Sequence, residues 1–83
     1  MPIPHIVIDT NVMVAGLRSR RGSAFRLLTL VGTGRFAIHL SVPLILEYEE
    51  VLLRELPHLR VPRTVVEAVL DFHCMVATRH QIF

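Results

Sequence analysis

Residues 6–8, Ile6, Val7 and Ile8, are apolar on both parities, the pattern of a strand buried on both faces of a parallel sheet. Thr10 or Asn11 is placed to cap a short helix over about residues 12–17. "RSRRG" follows as a basic loop, and Ser23 can cap a second helix. There Ala24, Leu27, Leu28 and Val31 fall at helical spacing, and Gly32 and Gly34 end the run. "RFAIHLS" reads as a second strand. Ser41 and Pro43 then open a third helix with Leu44, Ile45, Tyr48, Val51 and Leu52 on its buried face, running to about residue 56, where Pro57 stops it. A fourth helix is expected over about residues 63–76, with Val65, Val69, Phe72 and Val76 stacked on one face. "RHQIF" begins something extended and apolar.

Strand, helices, strand, helices describes an α/β protein with a parallel sheet. The 83 residues allow one small domain, without repeats or linkers. The final "HQIF" looks cut inside an element, so the domain, residues 1–83, is expected to be partial, truncated after the fourth helix. Composition sharpens this expectation. Hydrophobic residues make up 52% of the chain and the mean hydropathy is +0.51, so surplus apolar surface is expected to meet protein, either a second copy or a missing part of the fold. No apolar run reaches the roughly 18–20 residues that span a bilayer, and no secretory signal opens the chain. A single cysteine, Cys74, excludes an internal disulfide and fits a reducing cytoplasm.

The nine cations are all Arg. Without Lys there is no Walker-type phosphate loop and no Schiff-base chemistry, so "VGTG" is a turn. Arg is the better bidentate partner for phosphate, which keeps a nucleic-acid ligand in view. In open parallel sheets the ligand site lies outside the carboxyl ends of the strands. Asp9 ends the first strand, Ser41 ends the second, and the third helix starts at that same edge. Glu47 and Glu49 lie on opposite flanks of that helix and Glu50 points to solvent; Glu47 is the nearer to the strand-end edge, by about 3 Å at 1.5 Å per residue. Asp9 and Glu47 are hard oxygen donors suited to Mg²⁺ or Mn²⁺. An Asp in that place also serves as a helix cap and a flanking Glu as a solvated side chain. Spacing leaves those readings open.

"VIDTNVMVAGL" followed by "FAIHLSVPLILEYEEVLL" resembles the PIN-domain family, in particular its compact prokaryotic branch with the VapC-like toxins. The shared pattern is an apolar strand ending in Asp-Thr-Asn, a strand ending in Ser, and Glu six residues on. The resemblance implies a three-layer α/β/α fold related to 5′ nucleases and a ribonuclease using Mg²⁺ or Mn²⁺. By position Asp9 matches the family's first metal-binding acid and Glu47 the second, with Thr10, Asn11 and Ser41 as groups that hold them by hydrogen bonds. The family expects further acids in a later helix and strand. Glu67 and Asp71 are the only acids after Glu55, and they match neither motif and are expected at the surface. The family's sheet also continues beyond the first strand, so ending here would leave that strand with an open edge.

The expected function is therefore metal-dependent RNA hydrolysis, as the toxin of a toxin–antitoxin pair, weak or inactive in this form because two carboxylates make a thin cage. Arg18, Arg20 and Arg21 could contact RNA phosphates or simply be solvated. With no Trp and one Tyr, no aromatic platform for bases is evident. The alternative is a non-catalytic interaction or RNA-binding protein that pairs through its exposed sheet edge, as a homodimer or with a cognate antitoxin. His5 and His39 share a parity on adjacent strands and are expected to pack or hydrogen-bond. "HCMVATRH" lacks zinc spacing, and Cys74 reads as a small buried hydrophobe. A phosphotransferase with a nucleophilic Asp wants an acid where Asn11 stands, which excludes it.

Overall fold

A computed structural model describes residues 3–78 of the chain. Its elements alternate as expected for an α/β protein: β1 (His5–Ile6), α1 (Thr10–Arg18), α2 (Ser23–Thr29), β2 (Ala37–Ile38), α3 (Val42–Arg54), a 3₁₀ turn (Leu56–His58) and α4 (Arg63–Thr78). β1 and β2 pair in parallel with His5 opposite Ala37 and Ile6 opposite Ile38. Backbone bonds from Ala37 to Pro4 (2.8 Å) and from His39 to Ile6 (2.9 Å) flank that register. The extended continuation expected from residue 79 lies outside the described residues.

The first strand is shorter than expected and is covered on one face only. Val7 is 64% exposed, while Ile8, immediately after β1, is buried. Among the described residues β1 pairs with β2 alone, and no layer covers the Val7 side. The expectation of a strand buried on both faces is corrected there.

Sequence-local chemistry sets the starts of α1 and α3, whereas α2 begins at Ser23 with Gly22 as its N-cap and no side-chain cap bond, so the expected Ser23 cap is corrected. Asp9, not Thr10 or Asn11, caps α1: its Oδ1 accepts the Asn11 backbone N–H at 2.7 Å. A carboxylate beside a helix's free N–H groups is further favoured by the helix dipole. Gly16 lets α2 approach α1 closely, since a Cβ there would stand 2.4 Å from Leu28 Cδ1. α2 stops at Thr29, two residues short of Val31, which is buried in the following turn. Gly32 and Gly34 carry that turn with φ of 84° and 88°, as "VGTG" predicts. Ser41 Oγ accepts from the Leu44 backbone N–H at 3.2 Å, and Pro43 sits in the first turn of α3.

Tyr48 and Leu52 anchor the core from α3, meeting Met13, Ile38 and Val66. α4 is turned by about one residue from the expected face. Val66, Leu70, His73, Val76 and Ala77 are buried, whereas Val65 and Phe72 are exposed, Phe72 at 41%. Two apolar stripes run side by side in "TVVEAVLDFHCMVA", and a one-residue change turns a helix by about 100°, so packing against α3 and β2 made the choice. Glu67 and Asp71 are exposed, as expected, and Glu67 ion-pairs with Arg63 at 3.0 Å.

Candidate active site

The carboxyl end of β1 opens onto a crevice of about 470 Å³ lined by Val7, Ile8, Asp9, Thr10, Asn11, Leu44, Glu47, Val51 and Arg54. Asp9 reaches it because β1 hands over to α1 there. Glu47 reaches it because of its neighbour. The Tyr48 hydroxyl donates to the Ile8 carbonyl in the interior, pinning α3 to the end of β1. The adjacent Glu47 is thereby carried to the rim, where Thr10 Oγ1 donates to its Oε2.

The charges of both acids bear on the Tyr48 hydroxyl. Tyr48 is pushed up to about 12, first by burial and then by the negative charges of Asp9 and Glu47. A phenol that resists ionisation keeps its proton and holds the Ile8 carbonyl throughout the ordinary pH range.

Most of the expected site residues gather here. Asp9, Thr10, Asn11 and Glu47 share the crevice. Ser41 does not line it; its hydroxyl is engaged at the start of α3, so it bears on Glu47 through the helix. Glu49, on the opposite flank of α3, faces a separate cleft with Arg63, Glu67 and Asp71. Among the described residues no group of three or more His, Cys, Asp or Glu is placed to hold a metal ion. The donor set at the crevice is two carboxylates, all oxygen, which suits Mg²⁺ or Mn²⁺ and not the softer metals.

Arg18, Arg20 and Arg21 lie away from this crevice and line, with Ser19 and Arg60, a basic hollow of about 610 Å³. Two arginines escaped the sequence reading. Arg54 lies seven residues after Glu47, on the same helical face, and that spacing could have revealed it. Arg60 is brought in by the loop before α4, whose backbone N–H bonds Leu17 O at 3.1 Å, a long-range contact with no local signal. His5 and His39 do meet, with His5 Nδ1 2.5 Å from His39 Nε2. Cys74 is half-buried, its thiol pushed up by burial and by Asp71, which makes it a poor nucleophile.

The chain is thus a small α/β fold in which two carboxylates, Asp9 and Glu47, line one crevice beside the end of β1. The PIN-domain family model matches residues 5–81, and the chain belongs to the PIN-domain family. PIN domains are generally nucleases, are generally dependent on divalent metal and typically bind RNA. No curated protein and no solved structure matches the chain. Among the described residues no helix is long and apolar enough to cross a membrane.

Proposed function

We propose that the chain is a Mg²⁺- or Mn²⁺-dependent ribonuclease of PIN type, the toxin of a toxin–antitoxin pair acting in the cytoplasm. The observation that carries this reading is the meeting of Asp9 and Glu47 in one crevice, with Thr10 holding the second. Asp9 and Glu47 hold the divalent ion. Bound there, the cation would supply Lewis acidity toward the phosphoryl oxygens and an activated water. Thr10 fixes the Glu47 carboxylate by donating to one oxygen, leaving the other for the ion. The Asn11 backbone N–H does the same for Asp9. Ser41 steadies α3 beneath Glu47, and Arg18, Arg20 and Arg21 contact RNA phosphates. Arg54, at the far end of the crevice, offers a guanidinium to the strand being cut. Two carboxylates retain Mg²⁺ weakly, so slow turnover is expected.

Cleavage of single-stranded RNA with Mn²⁺ tests this directly. Asp9→Ala and Glu47→Gln should each abolish it, and Asp9→Ala should relieve any growth arrest on expression in a bacterial host. Activity unchanged in Asp9→Ala would sink the assignment.

A second reading is favoured by exposed apolar side chains. Val7, Val42 and Leu46 all stand in solvent. They support a homodimer, or pairing with an antitoxin, through the exposed sheet edge.

A further inference from the structure

The basic hollow adjoins an apolar groove of about 410 Å³ between α1, α2 and α4, and Arg20 and Arg60 line both. On one side of that pair stand Arg18 and Arg21; on the other stand Phe25, Leu28, Val61, Val65 and Phe72. Four guanidinium groups share the hollow and no carboxylate lines it. Among the described residues the one ion pair of the chain, Arg63 with Glu67, lies elsewhere. Cations gathered in this way repel one another unless an anion sits among them. Beside them, two phenyl rings from different helices wall a groove of a size that admits a flat ring system, and Phe72 is left part-exposed. A nucleotide carries both complements in one unit: a phosphate, and a base with apolar faces.

We propose that the hollow and the groove together form a nucleotide subsite for single-stranded RNA, the phosphate lying among Arg18, Arg20, Arg21 and Arg60 and its base entering against Phe25 and Phe72. α1 connects this subsite to the acid crevice. Eight residues separate Thr10 from Arg18, a rise of about 12 Å at 1.5 Å each. At roughly 3.4 Å per nucleotide, a strand running along α1 would be held about three to four nucleotides from the cleaved bond. That offset rests on the ribonuclease reading; the binding itself does not. An acidic amphipathic helix is a rival occupant, but the two phenyl rings beside the guanidinium cluster favour a base over aliphatic side chains.

The test is fluorescence anisotropy in EDTA with labelled octauridylate and with the same strand made abasic. Arg60→Ala should weaken both strands about tenfold and reduce the slope of log affinity against log salt by about 0.7, with Arg60→Lys recovering much of the loss. Phe72→Leu and Phe25→Leu, folded by thermal melt, should weaken only the base-bearing strand, by about tenfold. Arg26→Ala, outside both cavities, should change nothing. Equal binding of the two strands to wild type overturns the proposal, as does an Arg26→Ala effect equal to that of Arg60→Ala. So does binding of an acidic, leucine-spaced helical peptide that depends on Arg60 while RNA binding does not. If the expected pattern holds but no RNA is cut with Mn²⁺, the subsite stands and the nuclease reading falls.

Discussion

Thr10 is one hydroxyl group whose loss has a defined consequence. Its Oγ1 donates to Glu47 Oε2 across 37 residues of sequence. Thr10→Val keeps the shape and removes the donor, so RNA cleavage should fall about 10- to 100-fold while Thr10→Ser restores it. Equal activity in the two variants would mean that Glu47 needs no such support. His73 makes a second residue-level case. It is 3% exposed, its Nδ1 donates to Val69 O at 2.8 Å, and its Nε2 is buried with no partner among the described residues. Burial lowers its pKa from the ordinary 6.5, partly opposed by the Val69 bond. The unfolded chain therefore takes up a proton near pH 6.5 that the folded chain refuses, and folding stability falls as pH drops below that value toward the depressed folded pKa. Thermal melts from pH 7.5 to pH 5 should show Tm falling on acidification, with a shallower fall in His73→Leu. Parallel profiles would remove His73 as the cause.

Caps matter at the scale of elements because this fold hangs its chemistry on helix starts. Asp9 caps α1 and Ser41 caps α3, and both helices begin at the strand-end edge. Asp9 thus caps α1 while lining the crevice, so its capping role is compatible with the metal role proposed for it. Ser41→Ala should cost about 1 kcal/mol in urea unfolding, and Ser41→Asp much less. A cost confined to Ser41→Ala, without change in RNA binding, would place Ser41 as a helix anchor alone. Some helix ends could be read locally: Pro43 sits in the first turn of α3 and the two glycines of "VGTG" carry a turn, while α3 stops at Arg54 and α2 at Thr29, each two residues before the expected end. The face of α4 could not. Val65 and Val66 are equally apolar neighbours, and only contact with α3 and β2 turned Val66 inward, leaving Phe72 to the groove.

For the molecule as a whole, Val7, Val42 and Leu46 are exposed, and the sheet among the described residues has two short strands. Such a sheet is marginal alone. A homodimer should therefore be seen by light scattering at micromolar concentration, and Leu46→Glu should shift it toward monomer. A wild-type monomer at high concentration would refute this.

Wherever one residue type at one place has a single cheap conformation, its consequence was readable along the chain. That covers the order of strands and helices, the turn glycines, the Ser41 cap, and the two carboxylates facing one edge. Asp9 and Glu47 could be paired from sequence because strand ends and a helix start are local features that parallel topology brings together. Arg60, Arg54's place in the crevice, the joining of Phe25 with Phe72, and the exposure of Val7 were set by packing between distant segments. Burial depends on what covers a side chain, and the covering residues stand far off in sequence with nothing local to announce them.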